Sequence, residues 1–493
     1  MGRRQGLGRQ WIGFWLLLVG LTAVRLLVAA LSPVSADEAY YWTWSRALAP
    51  GYLDHPPMVA LWIAAGTRLC GDTALGIRLL APLAAALGSL LLVAACRDLL
   101  GRGCDIGCGI KAAILLNATL LLGVGAVTMT PDTPLLSFWT AALAALGRVV
   151  ATRRGAWWLA VGLATGLAMD SKYTALLTAA GIPLWLVATG EGRRWLRTPW
   201  PWLAAALALL VFAPVLGWNA DHRWASFAKQ GGRTGAWHPG RAWRTLAELV
   251  GGQAGLATPV VFVLLVCGIG RLARRVRSGP PGHALLVAVT VPAALVFVQH
   301  ALGDRVQANW PGLLYPACAI AAAPLAWRWW RAGTALGFVL TALVYAQSVA
   351  APLPLPRRLD VTLVRLAGWQ SLAREAASAA GPGTALVADE YGLAAELAFA
   401  APGRAVFAAE PRWRLFGLPH PPVGGVTMLL VRSARRKDAP DPLLFCTVAR
   451  VGSLARGRDG VTAERYDLYR VTLRTGLPPS LQSEVAAMPV PLR

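Results

Sequence analysis

The sequence predicts a polytopic α-helical membrane protein with a small extracytoplasmic α/β domain at its C-terminal end. Three observations predict it. Of 493 residues, 56% are hydrophobic and only 14% charged. The apolar residues fall in blocks of about 17 to 21, the length at which a helix rising 1.5 Å per residue crosses a hydrocarbon core of roughly 30 Å. Beyond Pro352 these blocks give way to strand-sized and helix-sized runs. Such a composition excludes a soluble enzyme, a secreted disulfide scaffold and a disordered chain.

Taken in order, the candidate spans cover residues 11–31, 74–96, 112–129, 134–151, 156–169, 173–189, 200–217, 256–272, 284–302, 312–327 and 333–351, eleven in all. An odd number puts the two termini on opposite sides. Loops on the side of the N-terminus carry eighteen basic residues against three acidic ones, whereas those on the other side before residue 352 carry nine of each. The excess of Lys and Arg on cytoplasmic loops then predicts a cytoplasmic N-terminus and an outer C-terminal tail. The net charge of +23 is thereby accounted for by membrane orientation, with no nucleic-acid partner. Arg3 and Arg4 precede an apolar run ending at Val34, Ser35 and Ala36. Its length exceeds the signal-peptide core of about 7–15 residues, so the first span is expected to stay as an anchor.

Seven cysteines, at 70, 96, 104, 108, 267, 318 and 446, lie mostly in spans or on the cytoplasmic side and form no disulfide framework. Cys104 and Cys108 share a cytoplasmic loop without a nearby His or second Cys pair, and read as incidental thiols rather than a zinc site.

The transmembrane domain, 1–351, has two long outer loops. Residues 32–73 begin with an aromatic helix, pass through a Pro-Gly turn and end in an amphipathic half suited to the membrane interface. Residues 218–255 are rich in Trp and Arg. The fifth span is short, and Gly162 and Gly166 give it the spacing that lets helices approach closely. That shortness places Asp170 and Lys172 below the outer surface. No Gly-rich phosphate loop occurs. In the tail, 352–493, GTALVAD, GGVTMLLVRS and RYDLYRVTLR read as strands and YGLAAELAFAA as a helix. Its 18 basic and 12 acidic residues leave it at +6, which suits anionic headgroups.

The chemistry-bearing candidates lie at outer ends of spans. Asp37 and Glu38 follow the first span and precede Tyr40, Tyr41, Trp42 and Trp44. They read either as a helix cap with an aromatic belt or as working carboxylates beside rings that stack on a sugar or anchor a lipid. Asp132, in TPDTP, is turn chemistry or a second carboxylate sharing general-base and orienting roles. Asp54 and His55 precede two prolines and offer a titratable pair for a phosphate or metal, or a merely solvated loop. Lys172 either snorkels or pairs with a lipid phosphate. Arg25 lies inside the first span about two turns below Asp37, and a charge at such depth needs a partner.

Several of these segments resemble glycosyltransferase family 39: DEAYYWTWSRALAPGYLDHPPM at 37–58, TPDTPL at 130–135, GLAMDSKYTALL at 166–177, WNADHRWASF at 218–227 and VQANWPGLLYPA at 306–317. The family's bacterial branch includes lipid A aminoarabinose transferases, rhizobial-type galacturonosyltransferases and protein mannosyltransferases. The resemblance covers about residues 10–350, and its most specific part is the outer-loop Asp-Glu followed by aromatics and His-Pro-Pro. It implies a GT-C-like membrane transferase using a polyprenyl-phosphate sugar. Asp37 matches the catalytic acidic position, Glu38 its neighbour and Asp132 the second acidic position. Asp54 and His55 stand where aminoarabinose transferases carry an acidic residue followed by Lys.

Topology supports the same donor independently. Nucleotide sugars are confined to the cytosol, whereas every candidate carboxylate lies on the outer side, so the sugar must arrive on a lipid. Its leaving phosphate needs positive charge, for which Lys172, Arg25, His55, Arg233, Arg241 and Arg244 form the pool. The expectation is inverting transfer of a single sugar to lipid A, another envelope glycan or protein, with Asp37 as base, Tyr41 among the substrate contacts and a divalent metal left open. A lipid-linked glycan flippase is the non-enzyme alternative, and an oligosaccharide ligase the alternative enzyme. The absence of a visible repeat and the clustering of acids at one surface disfavour a transporter.

Overall fold

The computed structural model describes residues 2–101, 104–231, 239–420 and 424–491. Among the described residues six helices are long and apolar enough to cross a membrane: Gly8–Leu31, Ala74–Leu100, Asp132–Thr152, Trp200–Asp221, Pro281–Ala301 and Trp330–Val349. Two helix pairs bend sharply, Ala175–Ala188 with Gly190–Leu196 by 97° and Gly240–Ala257 with Pro259–Arg274 by 106°. The segments expected to span at 112–129, 156–169 and 312–327 hold shorter apolar helices, Ile106–Asn117, Trp157–Met169 and Trp310–Ala322.

Local chemistry explains the breaks. At Thr119 the side chain accepts a hydrogen bond from Leu122 N and starts a new short helix, Leu120–Gly125, so the apolar run at 112–129 is not one rod. Thr258 adopts φ 66° just before Pro259, a left-handed conformation for a β-branched residue that turns the chain between its two helices.

By contact the chain divides into two compact units: one of Met1–Leu27, Asp54–Val59 and Leu80–Leu343, the other of Val28–Leu53, Ala60–Leu79 and Val344–Arg493. In the first, Trp139, Trp158 and Trp185 are fully buried in a core shared by many helices. The close approach predicted from Gly162 and Gly166 occurs. A Cβ on Gly162 would stand 2.4 Å from Ala204 O, and one on Gly166 would stand 2.8 Å from Val211 Cβ, both on the Trp200–Asp221 helix. Neither position has room for a side chain.

The second unit contains a six-stranded mixed sheet. β1 (Leu386–Ala388) runs parallel to β2 (Val406–Ala409) and β3 (Thr427–Ser433). β4 (Phe445–Arg458) and β5 (Val461–Leu473) form an antiparallel hairpin whose second strand joins β3, and β6 (Val485–Ala487) pairs antiparallel with β2. The unbroken apolar run of β3 fits a central strand buried on both faces, while β5 intersperses buried positions with half-buried and exposed ones. The expected strands and the expected helix, now Tyr391–Ala400, are present. This unit also takes in the helix Ala36–Arg46 from the first outer loop, which packs on Tyr391–Ala400. Tyr40 lies 4.5 Å from Tyr391, and Trp42 lies 5.3 Å from Phe399, between ring centroids.

Candidate active site

The helix Ala36–Arg46 begins with a capping box. Ser35 accepts a hydrogen bond from Glu38 N, and the Glu38 carboxylate reaches back to Ser35 N at 3.1 Å and to Ser35 Oγ at 2.9 Å. This geometry gives the two neighbouring acids opposite environments. Asp37 is exposed in the first turn, where the helix dipole favours a carboxylate. Glu38 is fully buried, with Oε1 accepting from Arg78 Nε and Oε2 from Arg78 Nη2, each at 2.6 Å. Arg78 spends its remaining donors on the carbonyls of Ala29, Ser32 and Pro33 and on the Ser32 hydroxyl. Glu38, expected beside Asp37 as a catalytic carboxylate, is thus placed in a buried ion pair with Arg78.

The aromatic run after these acids packs inward. Tyr41 is buried edge-on to Trp44 at 4.9 Å, Trp44 stacks on Tyr52 at 4.2 Å, and the Tyr40 hydroxyl accepts from Arg412 at 3.1 Å. Tyr41, expected to touch substrate, belongs to the packing that seats the helix. Beneath the helix, on Tyr391–Ala400, Glu396 is 2% exposed. Burial raises its carboxyl well above the ordinary range, with Arg456 opposing and Glu38 reinforcing the shift.

In the first unit, segments distant in sequence meet around Asp132. Its carboxylate accepts from Lys172 Nζ at 2.7 and 2.8 Å and from Asn309 Nδ2 at 2.6 Å. Lys172 is 5% exposed, and the carboxylate that pairs with its ammonium is itself held by Asn309. Its neighbour Tyr173 accepts from Asn219 Nδ2 at 3.3 Å. Asp54 pairs with Lys229, and its carbonyl accepts from Gln230 Nε2 at 2.8 Å. The 54–59 segment is tied to the same turn as Lys172, because Met58 N donates to Asp170 O at 3.1 Å.

Electrostatics separates these groups further. Burial first, and the Lys172 ammonium second, push His55 down to about 4, against the pull of Asp54 and Asp132. His55 is thus a neutral imidazole at neutral pH and leaves the expected pool of cations. Arg25 leaves it as well: fully buried, it donates to Asn117 Oδ1 at 2.9 Å, and Asn117 in turn donates to Ser89 Oγ. Its partner is a neighbouring helix instead of a ligand at the surface. Arg244 is exposed and paired with Glu248 at 3.1 Å, Arg241 is exposed, and Arg233 lies outside the described residues.

Lys229 and Asn309 were not singled out from the sequence, and Asp170 was placed there only by its depth, although all three stand in or beside the strings at 166–177, 218–227 and 306–317. Asp170 is 9% exposed, has a buried Oδ1 without a hydrogen-bond partner, and is raised by burial to about 7. Among the described residues, the His, Cys, Asp or Glu ligand atoms that converge in a group of three belong to Cys96, Cys104 and Cys108, away from these carboxylates in sequence.

The family described as dolichyl-phosphate-mannose-protein mannosyltransferase matches residues 54–218. The chain is 28% identical over 376 residues to the lipid A galacturonosyltransferase RgtD of Rhizobium johnstonii, covering 74% of this chain and 77% of that one. Among solved structures it is similar to ArnT from Cupriavidus metallidurans bound to undecaprenyl phosphate, with a TM-score of 0.60 at 15% identity over 93% of this chain and 98% of that one. The same protein in its apo state gives 0.59 at 16% identity over the same shares. At these identities the structural likeness establishes a common fold, the GT-C arrangement with a small C-terminal sheet domain.

Proposed function

We propose that the chain is a glycosyltransferase of family 39 that moves one sugar from a polyprenyl-phosphate donor onto lipid A at the outer face of the inner membrane. The observation that carries the reading is the buried Lys172 ammonium, aimed by Asp132 and Asn309. In an apolar helical body, a held cation of this kind is suited to an anionic lipid headgroup. RgtD is named for galacturonosyl transfer to lipid A and ArnT is solved with undecaprenyl phosphate, which makes galacturonic acid the first sugar to test and undecaprenyl phosphate the first carrier.

In the proposed reaction a hydroxyl oxygen of the acceptor attacks the anomeric carbon as the bond from that carbon to the phosphate oxygen breaks, inverting the configuration. The hydroxyl proton passes to the Asp37 carboxylate, and polyprenyl phosphate leaves with the bonding electron pair. Asp37 suits the base role because it is exposed to an incoming acceptor, on a helix whose start its neighbour Glu38 anchors. Lys172 takes the negative charge that develops on the phosphate, and Asp132 and Asn309 position Lys172. Neutral His55 and the Asp54–Lys229 pair bound the same segment and supply hydrogen bonds to the donor headgroup. Burial raises Asp170 to about 7, which lessens the negative charge it carries near Lys172 at neutral pH.

The orientation belongs to the same proposal, with the basic loops cytoplasmic and the C-terminal sheet outside. An alkaline phosphatase fusion after residue 480 should be active; a fusion active only with a cytoplasmic reporter reverses the topology. The function is tested by mass spectrometry of lipid A incubated with purified protein and undecaprenyl-phosphate galacturonic acid. A mass increase of one uronic acid is expected, and transfer of a preassembled glycan would instead mark a ligase.

A further inference from the structure

The hairpin between the helices Leu80–Leu100 and Ile106–Asn117 gathers three sulfurs. Cys96 lies in the last part of the first helix, Cys104 just before the second, and Cys108 in its first turn. Cys96 Sγ stands 3.3 Å from Cys104 Sγ and 4.0 Å from Cys108 Sγ, and all three sulfurs lie within 4.8 Å of one another. A tetrahedral ion with metal–sulfur bonds of about 2.3 Å separates its sulfur ligands by roughly 3.8 Å, between those two distances.

The surroundings are built for thiolates. Asp105 caps the second helix by accepting from Cys108 N at 2.9 Å, which fixes the turn joining Cys104 to Cys108. Cys108 sits where the partial positive charge of the helix N-terminus favours a thiolate. Lys111, three residues on and so on the same helical face, offsets the single negative charge that three thiolates leave on a divalent ion. Cys96 and Cys104 are buried, at 0% and 7% exposure, so a bound ion would be shielded from competing solvent.

We propose that Cys96, Cys104 and Cys108 form a binding site for a thiophilic metal ion, with zinc as the resident, three protein ligands and a fourth position left to water. Binding releases the thiol protons to solvent and joins the two helices. The site lies on the side of the basic loops, where the cytoplasm would keep a Cys96–Cys104 disulfide reduced. It has no part in sugar transfer. Asp98, two residues beyond Cys96, pairs at 3.2 Å with Arg148, sixteen positions along the Asp132–Thr152 helix from Asp132. That is about 24 Å at 1.5 Å per residue. The ion acts as a staple for the cytoplasmic end of the helical body.

The test uses the full chain in detergent, reduced, stripped of metal and titrated anaerobically with Co²⁺. Thiolate-to-cobalt absorbance should rise and saturate at about one ion per chain, then bleach when Zn²⁺ is added. The double variant Cys104→Ala/Cys108→Ala should lose the absorbance, whereas Cys267→Ala/Cys446→Ala, which removes the two exposed thiols, should keep it. The proposal is overturned by a parent without the absorbance, by its persistence in the Cys104/Cys108 variant, or by a Cys96–Cys104 disulfide in protein isolated with its thiols trapped. Should the Cys104/Cys108 variant fail to fold, the parent titration decides alone.

Discussion

Asp37 and Asp132 both stand in the first turn of a helix, and the structure gives them opposite circumstances. Asp37 is exposed, and the buried charge beside it belongs to Glu38, which Arg78 holds through two short hydrogen bonds. Asp132 is itself engaged, by Lys172 and Asn309. A carboxylate bound to an ammonium is a poor proton acceptor and a good positioner; one displayed on a firmly capped helix is suited to the reverse. The difference teaches that acids of like type and helical position at 37–38 and 132 are set apart by what surrounds them, and the proposed reaction assigns them different roles on that ground.

The variants that sharpen this contrast differ in size and in readout. Asp37→Asn should lower transfer by about 10² to 10⁴, the usual cost of losing a general base, with thermal unfolding unchanged. Glu38→Gln should do the opposite, because it leaves the Arg78 charge buried and half-partnered. A loss of about 3–5 kcal/mol is expected, seen as a lowered unfolding temperature and reduced membrane yield. Equal stability of the two variants would break the distinction between them. Lys172→Ala should weaken donor affinity about tenfold, since one charge-assisted contact contributes roughly 1.5–3 kcal/mol. Affinity within twofold of the parent would return Lys172 to a purely structural role. Asp132→Asn should have a smaller effect on the same measurement, because it loosens the ammonium without removing it.

The smallest effect concerns pH. The Asp170 carboxyl is raised from 3.8 to about 7, so between those values the folded protein holds a proton that the unfolded chain has released. The stability this proton contributes is full below pH 4 and is lost as pH rises through 7. Asp170→Asn, which cannot ionise, should therefore unfold at a less pH-sensitive temperature than the parent between pH 5 and 8. An unchanged difference between those two pH values would mean that Asp170 is ionised throughout.

Much of the helical body was legible because span length is a property of the chain alone. The small-residue approach at Gly162 and Gly166 was legible for the same reason, since it needs only a four-residue spacing. What could not be read was which of two adjacent acids is buried. Ser35 and Glu38 have the spacing of a capping box, but the partner of Glu38 is Arg78, which lies within an apolar stretch and looked like part of a span. Arg25 misled for a related reason: a buried cation needs a partner, and Asn117, ninety-two residues away, is a neutral one. The cysteine trio was hidden by Cys96, which is eight residues from Cys104 in sequence and joins it only when the hairpin closes. In the C-terminal domain, β4 escaped because it is largely exposed along its length and so lacks the apolar run that marks β3.

The central claim, that the sugar arrives on a lipid phosphate and leaves on lipid A, is tested most directly by reconstitution. Purified protein in liposomes, given lipid A, should transfer galacturonic acid from undecaprenyl-phosphate galacturonic acid and be inert with the corresponding nucleotide sugar. Turnover with the nucleotide sugar in the absence of any polyprenyl phosphate would contradict the account.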